Sequence, residues 1–342
     1  MSVGAGVGTV GAAGTVEEAA ERLGALLVGS GTTMTDAGGR GDLAFDPVIA
    51  FHRLRRVGGP GGFEDVFAVD GGQVTVFDAR CLSVVVTRAA TVRFRGSACV
   101  EEEEGDLRVQ VLGAASTDEA RRALQLEGVL APDCAVDANL VRDRWEWDAA
   151  ARCVERCEPG GIVLVDGDLQ PDWRIPAWWL SALLARARER GVVVAGVTKH
   201  SGLARGGAPL LGQLEVEAAA LYGPRAMWWA SVARTRGDVD EGAGLQVVVA
   251  RLDPDARFAF RIDLPGDVEP EPVLAALSAV CDDAAFPGYP YPLTVADRLA
   301  ACPGWLAAEV RMQLDDCFER AGVPYEVRER AFADRHHLME RS

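Results

Sequence analysis

The chain has 342 residues, of which 49% are hydrophobic and 25% charged, enough apolar material to bury a sizeable core. Its net charge of −16, from 35 Lys+Arg against 51 Asp+Glu, excludes a protein that coats nucleic acid through a basic surface. It leaves room for one that meets nucleic acid through a local arginine cluster or a metal ion.

In chain order, residues 1–14 are rich in Gly, Ala and Val, with no basic stretch or long apolar core of the kind a secretion signal carries. Thr15 is expected to cap a helix running from Val16 toward Leu27. Val66–Asp70 reads as a buried strand that the pair Gly71-Gly72 breaks. Val74–Phe77, Leu82–Arg88 and Thr91–Arg95 read as short antiparallel strands, and the acidic run Glu101–Glu104 as a solvated turn.

From Ser116 to Glu158 the spacing is helical, and Gly160-Gly161 ends it. Ile162–Val165 is a second apolar strand, leading to Asp166. Trp178–Arg190 reads as an amphipathic helix stopped by Gly191, and Val192–Val197 as a third strand leading to Thr198-Lys199. Strand, helix, strand at this spacing predicts parallel pairing with helices on the faces. Gln246–Arg251 and Phe258–Asp263 suggest a later strand pair, and the C-terminal portion is helical apart from a Pro/Gly/Tyr-rich interruption at Phe286–Pro292. The eight cysteines contain no C-x2-C pair and read as free thiols of a reducing compartment. No uncharged run is long enough to span a bilayer, so the expectation is a cytoplasmic protein with no membrane partner.

Meander strands, a helical excursion and then strand–helix–strand make the layout of a ribonuclease-H-like mixed α/β sheet flanked by helices, with helical decoration. The expected division is an N-terminal helical or flexible segment over 1–45 and a nuclease-type domain over 46–342. Two buried strands that each deliver an aspartate, Asp70 and Asp166, to a glycine suit Mg²⁺ or Mn²⁺, which take hard oxygen ligands. The alternative for each Asp-Gly is a plain turn. Lys199 is the only lysine in the chain, which suggests a site that needs a compact ammonium.

The segments AVDGG (68–72), LVDGDL (164–169), GVTKHS (196–201) and GYPYPLTVADR (288–298) occur in the order seen in the NurA nuclease family, which this chain resembles from about residue 60 to 300. The resemblance implies a ribonuclease-H-like core, a homodimer and Mn²⁺ dependence, with Mg²⁺ as an alternative. It also implies cleavage of single-stranded DNA, 5′-to-3′ degradation of DNA ends in double-strand break repair, and partnership with a HerA-type hexameric ATPase translocase. Asp70 and Asp166 match the family's metal-binding aspartates. A helical glutamate should complete the set: Glu146 is the choice, with Glu127 and Glu155 as rivals, and pairing with Arg142 is the structural alternative for Glu146. Lys199 would face the scissile phosphate, and Tyr289 matches a tyrosine near the family's active site. Where the family carries a histidine eight residues after that tyrosine, this chain has Asp297, which keeps a hard metal ligand and removes a proton-transfer group. His52, His336 and His337 could replace it only if the fold brings them near. Asp297 therefore favours a second reading, a catalytically weak scaffold that binds DNA ends and docks on a hexameric translocase. Arg53, Arg55 and Arg56 are the first candidates for DNA phosphate contact, Arg186, Arg188 and Arg190 the second, while Trp173, Trp178 and Trp179 suit base stacking or, for at least two of them, core packing or a dimer contact.

Overall fold

Thr15 caps the first helix with a capping box: its hydroxyl accepts from the Glu18 N–H at 3.2 Å, and the Glu18 carboxylate accepts from the Thr15 N–H at 3.0 Å. In this computed structural model the residues described are 15–29, 31–37, 43–55, 62–113, 120–122, 130, 134–170, 172–235 and 244–333. Helix α1 (Val16–Leu27) is followed by β1 (Met34–Asp36), β2 (Leu43–Phe45), β3 (Phe51–Arg53), β4 (Asp65–Asp78), β5 (Leu82–Arg95), β6 (Ala98–Glu104) and β7 (Arg108–Gly113). Then come α2 (Ala138–Arg156), β8 (Ile162–Asp166), α3 (Ala177–Arg190), β9 (Val193–Thr198), β10 (Leu203–Arg205), β11 (Ala208–Pro209) and α4 (Leu210–Tyr222). The rest is β12 (Trp228–Thr235), β13 (Leu245–Arg251), β14 (Phe260–Pro265), α5 (Pro270–Leu277), α6 (Tyr291–Ala300), α7 (Gly304–Arg320) and α8 (Tyr325–Phe332).

The main sheet runs β2-β12-β13-β14-β9-β8-β4-β5-β6, with β3 also on β12 and β7 also on β5. Its centre, β6-β5-β4-β8-β9, is the ribonuclease-H-like arrangement. β4, β8 and β9 are parallel there, as the strand–helix–strand spacing predicts. These three strands are apolar on both faces because both faces are covered. Ala68, Leu164 and Val197 pack with Leu274 and Leu293 on the α5/α6 side, while Val69, Val163 and Val194 pack with Cys153 and Leu184 on the α2/α3 side. A small second sheet joins β1, β10 and β11. Through β1 and β2, the residues before 46 are tied into both sheets.

Three local expectations are corrected. First, Gly71-Gly72 does not break its strand: β4 runs through it to Asp78, and with β5 it forms a ladder of two fourteen-residue strands in place of several short ones. The glycines are there because helices cross the strand closely on both faces. A Cβ on Gly71 would stand 2.8 Å from Arg142 Cγ of α2, and one on Gly72 would stand 1.9 Å from the Ala300 carbonyl oxygen of α6. Side chains alternate along a strand, so consecutive glycines clear both faces. Second, Glu101–Glu104 is part of the edge strand β6, not a turn. Its carboxylates meet Arg156 and Arg88, and a charged row of this kind keeps an open edge from pairing with another chain. Third, the stretch read as helical from Ser116 to Glu158 is not one helix: residues 120–122 are helical, residues 134–137 are not, and α2 starts afresh at Ala138, where the Asp137 carboxylate accepts from the Leu140 N–H at 3.0 Å.

The later strand pair appears as β13 and β14, which pair antiparallel. β12 carries no alternating pattern because both its faces are buried, and no strand was read there.

Candidate active site

β4 and β8 run in register with Val69 opposite Val165, so the next residues of each, Asp70 and Asp166, stand side by side at the C-terminal end of the shared ladder. A third carboxylate arrives from 131 residues beyond Asp166. Helix α6 lies against β4, and the missing Cβ at Gly72 lets its C-terminal end come that close. Asp297 therefore reaches the strand ends. One carboxylate oxygen from each of Asp70, Asp166 and Asp297 lies within 4.8 Å of the others. Two oxygens bound to opposite sides of one divalent cation are about 4–5 Å apart.

Glu146 comes to the same place from α2. It is 7% exposed, its Oε2 would lie 3.0 Å from a Cβ at Gly71, and its Oε1 is buried without a hydrogen-bond partner. Burial holds its carboxyl well above the usual carboxylate range, with the negative charges of Asp70 and Asp143 adding to the effect and Arg142 opposing it. The exposed, Arg142-paired alternative does not hold: Arg142 donates to Asp143 at 2.9 Å. Of the rivals, Glu155 is exposed and bonded to Arg186 of α3 at 2.6 and 2.8 Å, and Glu127 lies outside the described residues.

Burial and the neighbouring Asp166 push the Asp70 carboxyl up to about 8, against one hydrogen bond it accepts from the Gly71 N–H at 2.7 Å. Lys199, just past β9, places its Nζ 2.5 Å from Asp166 Oδ2 and 2.7 Å from Asp297 Oδ1. Burial works to lower its pKa, but these two hydrogen bonds prevail and push it up to about 12. Nζ also lies 5.3 Å from the Tyr289 ring centroid. The Tyr289 hydroxyl is buried without a hydrogen bond, and burial, then the charges of Asp166 and Asp70, push its pKa upward. One carboxylate cluster with too little positive charge to balance it, one ammonium and one buried phenol thus share a single sheet edge.

Compared with solved structures, the chain is similar to the NurA nuclease from Sulfolobus solfataricus, with a TM-score of 0.53 over 80% of this chain and 88% of that one at 14% identity. The fold is NurA-like. A second NurA structure aligns over 72% of this chain and 86% of that one (TM-score 0.44, 8% identity), and human ENDOV over 73% and 90% (TM-score 0.39, 16% identity). At the level of sequence, no family model and no curated protein matches the chain.

On this NurA-like fold the predicted residues divide cleanly. Asp70, Glu146, Asp166, Lys199, Tyr289 and Asp297 come together. The arginines 53 and 55 do not. Arg53 sits on β3, five ladder steps from β8, which is on the order of 20 Å, and its guanidinium lies 5.0 Å from the Tyr222 ring. Arg55 follows it on the surface, and Arg56, His336 and His337 fall outside the described residues. Arg186 and Arg188 are engaged with Glu155 and Asp267, and His52 stacks on Trp229 at 4.4 Å. No helix among the described residues is long and apolar enough to cross a membrane.

The sequence reading missed the support under this edge. Arg261 of β14 is fully buried and donates to Asp263 at 2.8 and 3.0 Å and to Asp36 of β1 at 3.0 Å, with Asp168 at 3.8 Å. Asp263 in turn accepts from the Leu169 N–H at 3.2 Å, which fixes the turn that follows Asp166. Burial and Asp263 push Asp168 up to about 6. The only trace in the sequence is a lone Arg-x-Asp in an apolar strand.

Proposed function

We propose that this chain is a divalent-cation-dependent nuclease acting on DNA. The observation that carries the reading is the convergence of Asp70, Asp166 and Asp297 within 4.8 Å, beside the unpartnered Glu146 Oε1, on a NurA-like fold. An all-carboxylate donor set suits Mn²⁺ or Mg²⁺. Asp70, Asp166 and Asp297 would hold the ion, with Glu146 completing the set. Such an ion supplies Lewis acidity toward a phosphodiester and makes water a better nucleophile. The chain's own groups do the rest. The Lys199 ammonium neutralises charge on a phosphate oxygen, and the free Tyr289 hydroxyl donates to another. The Arg261–Asp263 pair fixes the turn after Asp166.

In finer terms, the proposed enzyme is a cytoplasmic, Mn²⁺-preferring deoxyribonuclease. It would cut single strands, degrade ends from 5′ to 3′ in double-strand break repair, and work as a homodimer with a HerA-type hexameric translocase. The ordered motifs quoted above support that specification. One observation favours the scaffold reading: the Lys199 ammonium already fills the space between Asp166 and Asp297. The deciding experiment is Mn²⁺-dependent degradation of an end-labelled single-stranded DNA by the wild type and by Asp70→Ala. Activity that requires the metal and disappears in the variant supports the nuclease. Clean wild-type protein that binds DNA ends and never cuts, with or without a translocase, supports the scaffold.

A further inference from the structure

On the far face of α2 from Glu146, a groove of about 410 Å³ runs between α2 and α3. Its walls carry Trp147, Trp178 and Trp179, and its rim Arg144, Arg152 and Arg186. Trp178 is 59% exposed and meets Trp179 edge-on at 5.7 Å. The Arg144 guanidinium lies 4.3 Å from the Trp179 ring centroid and is ion-paired with Asp148, while Arg186 is bonded to Glu155. Arg152 is exposed and has no ion pair among the described residues. A fourth guanidinium, Arg108 of β7, stacks at 3.5 Å on Trp145. Burial lowers its pKa, and the positive charges of Arg152 and Arg144 lower it further. Asp148 and Glu155 line the groove too and pair with Arg144 and Arg186, so in a chain of net charge −16 the groove offers an exposed tryptophan, Trp178, and an arginine, Arg152, without an ion pair among the described residues.

The groove also opens in the right place. α2 runs back toward the start of β8, so its N-terminal half, with Arg144 and Trp147, lies at the edge where β8 delivers Asp166. α3 leaves that same edge through residues 167–176. Residues 144 and 146 point about 200° apart on a helix, so the groove and the acid cluster are separated by the thickness of α2, about 10 Å.

We propose that this groove holds unpaired nucleotides of the substrate strand next to those being cut, their bases against Trp178 and Trp147 and a phosphate on Arg152. The inference rests on the nuclease reading and adds to it a place for single-stranded DNA. Stacking on tryptophan accepts any base, and an arginine without a carboxylate partner is what a phosphate requires. A partner helix laid into the same groove would cover Arg152 without neutralising it unless it brought an acid.

The test is binding of a fluorescently labelled oligothymidylate in EDTA, where no cleavage occurs, read by anisotropy over a range of salt. Trp178→Ala is expected to weaken Kd about tenfold. Arg152→Ala should reduce the slope of log K against log salt by about 0.7, the signature of one lost phosphate contact on a single strand. Trp305→Ala, at an exposed tryptophan of α7 away from the groove, should change neither. Wild type that cuts DNA, with both groove variants binding as tightly and with the same salt slope, overturns the groove assignment alone. Wild type that neither binds nor cuts the strand overturns the nuclease reading and this inference together.

Discussion

Burial first, and neighbouring carboxylates second, raise the pKa of Asp70 and Glu146 in the folded, metal-free chain. For Asp70 the sign is explicit: its pKa rises from 3.8 unfolded to about 8 folded, so the folded state binds the extra proton. That stabilisation is complete below pH 4 and is lost as pH rises through 8. The metal-free protein should therefore become easier to unfold between about pH 4 and pH 8, and Asp70→Asn should flatten that part of the profile in urea melts. A cation must displace the same proton, so Mn²⁺ affinity in titration calorimetry should climb toward pH 8 by up to about tenfold per pH unit and level off above it. Glu146→Gln separates the two roles of its residue. A buried carboxyl already held neutral loses little when it becomes an amide of the same shape, so the urea midpoint should stay within error or rise. Mn²⁺ affinity should fall at least about tenfold with it. A variant that loses stability and keeps metal affinity would make Glu146 a packing residue.

At the scale of elements, β4 and α6 are fitted to each other through Gly72. Gly72→Ala forces a Cβ into the Ala300 carbonyl and must push α6 outward, at a cost of about 1–3 kcal/mol for overpacking. It should lower the urea midpoint and weaken Mn²⁺ binding together, because Asp297 travels with the helix; a normal midpoint would mean that α6 yields freely. The same contact shows what the sequence could and could not convey. Val66–Asp70, Ile162–Val165 and Val192–Val197 were legible because strands covered on both faces are unbroken apolar runs, and spacing predicted the parallel pairing of the last two, whereas the adjacency of the Asp70 and Asp166 strands is seen only in the fold. The continuation of β4 was not legible: a glycine pair looks like a break unless the helices that cross it are known. Nor could spacing place Asp297, whose position depends on where α6 docks. The buried Arg261–Asp263–Asp36 group was hidden for the same reason, since its members come from β14 and β1, more than 200 residues apart.

Over the whole molecule, the candidate site draws on β4, β8, the end of β9, α2 and α6, so an ion bound there bridges much of the fold. Saturating Mn²⁺, at about 100 times its Kd, should stabilise the wild type by about 2.7 kcal/mol, visible as a higher melting temperature that Asp70→Ala does not share. No shift in the wild type would leave the acid cluster without a cation. The same dispersal sets the order in which the site can be assembled. A ribosome making this chain completes Asp70 and Asp166 early, but the carboxylate on α6 emerges only 131 residues after Asp166. A nascent or prematurely terminated product ending before residue 289 would carry two aspartates on a sheet edge with neither Asp297 nor Tyr289 beside them. The acid cluster thus closes only once α6 has been made and docked, and a copy cut short before that helix would lack the full carboxylate set.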